Sequence, residues 1–365
     1  MRGWKYYISS LIVALLAFIG CDVHEFPTDS QELVPLHIHL KFDTEMPLYK
    51  TINYTRSKEI FSEEEKKTDG SYDVRYIIKA FRTDNIIGQN RTADTTFVFT
   101  KSDISNLNQS VTIELNEGSY DLRVWADYVD AGSDKDKFYN TSDFSEIILT
   151  SEDVHVGSND YRDAFKGEIS IEVESGANNS GSTITIVNEA TIAMSRPMGK
   201  FKFIATDGEE FVRRMAELFS EQGILSVDSN NMSYEQLLQN IDISQFKVVF
   251  RYNNFMPCSF NMFTDKAADA WTRVNFSSQM YSEQTKELTL GYDYIFVGNN
   301  ETELSISVDV YDNEGELLCS SRPIKVSIAR SKLTIVKGEL LSPQSSTGGA
   351  FIDPGYDGND YNIQI

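Results

Sequence analysis

Cysteine, histidine and positive charge are all scarce in this chain. Three cysteines in 365 residues are too few for a small fold framed by disulfides. Four histidines, mostly far apart, form no Cys/His cluster of the kind that holds zinc. The 33 basic residues are outnumbered by 55 acidic ones, for a formal net charge of −22. Such a surface repels nucleic acid and anionic lipid. No phosphate-cradling glycine loop, nucleophile elbow or zinc-protease helix occurs. No apolar run reaches the ~20 residues needed to cross a hydrocarbon core of about 30 Å. The chain therefore reads as a non-enzyme with no cofactor and no nucleic-acid partner. Its 18 tyrosines and 22 phenylalanines argue against disorder and for a real core beneath an acidic surface.

What is present begins with MRGWKYYISSLIVALLAFIGC. Arg2 and Lys5 make a short positive region, and Ile8 to Ile19 is an apolar stretch broken only by Ser9 and Ser10. A positive start, a short apolar run and a small-residue exit together make an export signal. Phe18-Ile19-Gly20-Cys21 resembles a bacterial lipobox, with phenylalanine where leucine is usual. In that motif the thiol is acylated and the chain is cut before it. Acyl chains contribute about 0.8 kcal/mol per buried CH₂. Residues 1–20 are thus expected to be a removed signal peptide, with Cys21 the lipid attachment point and membrane anchor. The plainer alternative is an ordinary signal peptide followed by a chance cysteine.

Beyond a polar tether at 21–33 the hydrophobic period becomes two. "LHIHLKF" sets Leu36, Ile38, Leu40 and Phe42 against His37, His39 and Lys41, the pattern of a half-buried strand. "YDVRYIIKAFR", "FVFT", "SEIILT" and "GEISIEVES" continue it. "VTIELNEGSYDLRVWADYV" reads as a hairpin about Asn116-Glu117-Gly118. "SGANNSGST" (Ser175 to Thr183) is the best domain boundary. After it come "TITIVNEATIAM", "GKFKFIAT", "FKVVFRY", "ELTLGYDYIFV" and a second hairpin about Asn313-Glu314-Gly315. Helix signals are few. "TDGEEFVRRMAELFSEQG" has Glu209 and Glu210 in its first turn and Gly223 at its stop, and Ser233 and Gln236 stand at capping-box spacing. Roughly 14 strands and one or two helices predict an all-β chain of two sandwiches, at 34–174 and 183–342, with the helices in the second. A tail at 343–365 carries two short apolar pieces, Phe351-Ile352 and the alternating Tyr361, Ile363 and Ile365.

Candidate chemistry is sparse. His37 and His39 could reach one metal, but no third ligand is supplied nearby, so a solvated strand face fits better. Asp130, Asp134 and Asp136 form one acidic cluster, and Asp353, Asp357, Asn359 and Asp360 another; neither has EF-hand spacing. Cys258 and Cys319 could pair, closing a loop of about 60 residues and adding on the order of 4 kcal/mol. They could equally be two separate buried thiols. Trp125, expected on the outward face of its strand, and Trp271 are the aromatics that could stack on a sugar.

Several stretches, in order, carry a family likeness: "CDVHEFP", "HLKFDTEMP", "YDVRYIIKAFR", "GSYDLRVWADYVDAG", "YRDAFKG" and "RPMGKFKFIATD". Together they resemble the fimbrillin-like lipoproteins of Bacteroides-type bacteria, over most of residues 21–340. The resemblance implies two transthyretin-like β-sandwich domains. It implies a structural or adhesin-type subunit of a pilus, held at the outer membrane by lipid and partnered by other fimbrial subunits or a surface receptor. In such pili a strand of one subunit is implied to fill a groove in the next, opened when a protease removes the acceptor's first strand. The nearest candidate cut here follows Arg56, or lies around Lys66-Lys67. Tyr361, Ile363 and Ile365 would form the donor strand. An anchor subunit would instead keep both lipid and first strand. A surface lipoprotein that binds glycan is the alternative function.

Overall fold

In the computed structural model, residues 33–53, 71–83, 92–150, 155–174, 188–225, 231–282, 286–298 and 301–342 are described. Their alternation produces 23 strands and two α-helices, so the all-β expectation holds; many of the added strands are only two or three residues long. The first ten strands are β1 (Val34–Phe42), β2 (Leu48–Asn53), β3 (Tyr72–Arg82), β4 (Thr95–Lys101), β5 (Gln109–Leu115), β6 (Gly118–Asp130), β7 (Tyr139–Asn140), β8 (Ile147–Leu149), β9 (Ala164–Val173) and β10 (Asn188–Met194). Then come β11 (Met198–Ala205), α1 (Gly208–Glu221), α2 (Tyr234–Asn240), β12 (Lys247–Tyr252), β13 (Phe255–Pro257), β14 (Ser259–Asn261), β15 (Lys266–Ala267), β16 (Ala270–Thr272), β17 (Asn275–Gln279) and β18 (Tyr281–Ser282). The last five are β19 (Leu288–Phe296), β20 (Glu301–Tyr311), β21 (Leu317–Ser320), β22 (Ile324–Ala329) and β23 (Leu333–Gly338).

One core lies between a sheet ordered β10-β1-β5 and a sheet ordered β4-β3-β6-β9. Leu36, Ile38 and Leu40 of β1 meet Tyr120, Leu122, Val124, Ala126 and Tyr128 of β6 there. The second core gathers residues of β18-β19-β11-β23-β2 and of β17-β12-β20-β21, with β22 on the far end of β20. Phe250 stacks on Phe276 at 4.6 Å and meets Phe203 edge-on at 5.3 Å, the geometries that ring quadrupoles favour. Helix α1 lays Phe211, Val212, Met215 and Ala216 on this core, and α2 begins with the expected capping box. Here the Ser233 hydroxyl accepts from the Gln236 N–H at 3.3 Å, and the Gln236 side chain accepts from the Ser233 N–H at 2.8 Å.

Four sequence expectations change. The turn at Asn116-Glu117-Gly118 is not a hairpin: β5 pairs with β1 and β6 with β3 and β9, so the chain crosses there between sheets. The turn at Asn313-Glu314-Gly315 does close a hairpin, with β20 on β21. Strand β10, placed by sequence in the second domain, runs parallel to β1 in the first core. The reverse exchange also occurs. Strand β2 adds parallel to β23, and β7 and β8 join β14 and β15 in one sheet. Finally, Trp125 has no exposed surface: the outward face of β6 is covered by the second core. Its ring lies 5.5 Å from Tyr139 and 6.5 Å from Phe296.

Candidate functional site

The most distinctive local arrangement surrounds β1. Its side chains alternate, with Leu36, Ile38 and Leu40 buried and His37 and Lys41 facing out. Each buried side chain is worth about 1.5–3 kcal/mol relative to exposure. Backbone ladders run along both edges, antiparallel to β5 from Val34 to Leu40 and parallel to β10 from Leu36 to Phe42. The exposed face repeats both links. His37 Nδ1 is 2.8 Å from the Thr112 hydroxyl, His39 Nδ1 is 2.7 Å from the Ser110 hydroxyl, and His39 Nε2 is 2.9 Å from Glu189. The two histidines are thus spent on neighbouring strands. Removing β1 would leave an apolar trough with two unpaired strand edges, which is a template for another strand.

The same segment is fastened to the second core. Five residues after β1, β2 joins the edge of β23. The Tyr49 hydroxyl donates to Glu301 at 2.6 Å and the Lys50 ammonium at 3.2 Å. The Tyr49 hydrogen bond leads the causes that hold the Glu301 carboxyl at about 2. Residues 34–53 therefore straddle both cores.

Cys21, Arg56, Tyr361, Ile363 and Ile365 lie outside the described residues, as does the acidic cluster at 353–360. Cys258 and Cys319 are free thiols, both buried, so the pairing left open by sequence is not formed. Burial pushes each up to about 12, which leaves them as inert apolar groups. The acidic cluster at 130–136 closes on the protein's own cation. The Arg75 guanidinium donates to Asp136 Oδ1 at 2.7 Å and to the Asp134 carbonyl at 2.9 Å, and grips Asp127 with two more bonds.

His155 is buried against Asp293 at 2.6 Å. Asp293 also accepts from the Tyr252 hydroxyl at 2.5 Å and from Arg162. Burial, followed by Arg162, holds the His155 ring below its ordinary pKa. The cluster resembles an acid–base dyad, yet its groups are held by one another: Asp293 takes His155, Arg162 and Tyr252 together. Its work is to tie the 155–162 segment to β12 and β19. Sequence reasoning missed Asp293 because its partners lie 41, 131 and 138 residues away. It also missed a surface groove of about 740 Å³ beside Trp271, lined in part by Asn140, Thr150, His155, Arg273 and Asn275. Among the described residues no helix is long and apolar enough to cross a membrane.

A model of a family of unknown function (DUF6562) matches residues 30–365. No curated protein sequence matches the chain. Among solved structures it is similar to a proposed cell adhesion protein from Bacteroides eggerthii, at 12% identity, covering 87% of this chain and 93% of that one with a TM-score of 0.40. It is similar to the fimbrial anchor protein Mfa2 of Porphyromonas gingivalis, at 9% identity, 79% and 82% coverage and a TM-score of 0.35. It is also similar to the C-terminally truncated tip fimbrial protein Mfa3 of Porphyromonas gingivalis, at 8% identity, 80% and 81% coverage and a TM-score of 0.33.

Proposed function

The chain belongs to this family of unknown function, and from that premise we propose that it is a lipid-anchored surface protein of the fimbrial or adhesin type that associates by β-strand addition. The observation that carries the reading is β1: a central strand, hydrogen-bonded along both edges, with three alternate side chains filling one core. Only the short link to β2 and β2 itself separate it from the segment that holds Arg56. A cut after Arg56 would sever β1 and β2 from the body and fall between the described strands β2 and β3. The tail residues Tyr361, Ile363 and Ile365 repeat the spacing of Leu36, Ile38 and Leu40. A tail strand from a second copy would then restore both backbone ladders and refill the trough. Because one apolar strand replaces another of similar size, the exchange is close to neutral in burial, and removal of β1 is what drives it. Cys21 would carry the lipid and hold the protein at the outer membrane, and the two cores would correspond to two transthyretin-like sandwiches.

Mass spectrometry of the protein purified from its native membrane tests this. An acylated N-terminus at Cys21 marks an anchor that keeps β1, and a start at Ser57 marks a processed subunit. A chain that begins elsewhere, without lipid and with β1 in place, contradicts the proposal.

A further inference from the structure

The groove beside Trp271 has features that neither the fold nor strand exchange requires. Trp271 lies on β16, which among the described strands pairs with β13. Its ring is partly buried against the second core, and its indole N–H has no acceptor among the described residues. Trp125 is sealed between the cores, so Trp271 is the tryptophan among the described residues that reaches the surface. Arg273 lies two residues on, just past the end of β16, with a φ of 60°. That left-handed backbone is rare for a long side chain and persists only where the surroundings impose it, which happens most often at binding sites. Arg273 is exposed and has no hydrogen bond or ion pair among the described residues. Every other described arginine has a partner. In a chain of net charge −22, a guanidinium with no partner among the described residues is the exception, and it offers a place for an anion.

We propose that this groove binds an acidic saccharide, with its carboxylate or sulfate on Arg273 and a sugar ring against Trp271. The guanidinium fork matches a carboxylate or sulfate with two parallel hydrogen bonds. The indole offers an apolar face to the C–H side of a sugar ring and an unused N–H to a hydroxyl. Asn140 and Asn275 add amides to the lining, and about 740 Å³ suits one or two sugar units. The groove is built on β7, β8 and β16, not on β1, β5 or β10, so this site stands or falls separately from strand exchange.

Arg273→Gly is the informative variant. Glycine takes the left-handed backbone without strain, so the charge is removed while folding is kept, which a thermal melt verifies. The full exported chain is titrated with digalacturonate and with sialyllactose, using lactose as the neutral control. Calorimetry and tryptophan fluorescence report binding. The expected result is that at least one acidic probe binds ten times or more tighter than lactose. Arg273→Gly should weaken it at least tenfold, with Arg273→Lys intermediate. Equal affinity for lactose, binding unchanged in Arg273→Gly, or no binding of either acidic probe at millimolar concentration overturns the proposal.

Discussion

Trp125 shows how far a single residue can be read from its neighbours in sequence. Alternation placed Leu122, Val124 and Ala126 inward, and they are inward. It placed Trp125 outward, and in its own sheet it is. What alternation cannot show is that a second core lies against that outward face. Trp125→Ala should cost about 3–5 kcal/mol, read as a lower melting temperature, with Trp125→Phe losing less. An unchanged melt would mean the seam between cores carries little weight. His155 is the second case. Its ring is held below the ordinary value of 6.5 by burial and by Arg162, with Asp293 pulling the other way. The folded state therefore keeps it neutral while the unfolded chain takes up a proton. Stability should fall as pH drops below about 6.5, by at most about 1.4 kcal/mol per pH unit, until the folded pKa is passed. Asp293 is held below its own ordinary 3.8, burial being outweighed by Arg162 and His155, so its loss comes only in stronger acid. Denaturant midpoints at pH 7 and pH 5 should therefore differ more in the native chain than in His155→Gln. Equal differences would contradict the assignment.

Most elements were legible because period two is a local signal. The partners of those elements were not. The turn at Asn116-Glu117-Gly118 has hairpin residues and hairpin length, yet Arg82 donates to the Glu117 carbonyl at 2.7 Å and the chain passes from one sheet to the other. Nothing within those few residues distinguishes the two outcomes, because the choice is made by β1, whose residues pair with residues of β5 from Leu40↔Gln109 to Val34↔Leu115, far away in sequence. Strand β10 was misplaced for the same reason: its parallel partner lies on the far side of the proposed linker. This has a direct consequence for fragments. A chain ending at residue 174 leaves β1 with one bare edge and exposes Leu36, Ile38 and Leu40 beside the missing Ala190, Ile192 and Met194. Such a fragment should bind a hydrophobic dye and melt without a cooperative transition, whereas extension through Met198 should restore much of the cooperativity. A cooperative 34–174 fragment would show that β10 is dispensable.

At the scale of the molecule, the two cores are interlocked rather than strung in sequence. The N-terminal segment feeds one strand into each, β7 and β8 cross to the later half, and the buried Asp293 cluster ties the 155–162 segment to the second core. Among the described residues both thiols are buried and the Arg75 and Asp293 clusters satisfy themselves, while strand edges and the groove beside Trp271 lie at the surface. The most direct measurement compares surface material from cells making the full chain with that from cells whose chain lacks Tyr361 to Ile365, run unheated on denaturing gels. A ladder of multimers that collapses to single subunits on deletion is the predicted result; a ladder that survives the deletion unchanged would contradict exchange of β1 for the tail.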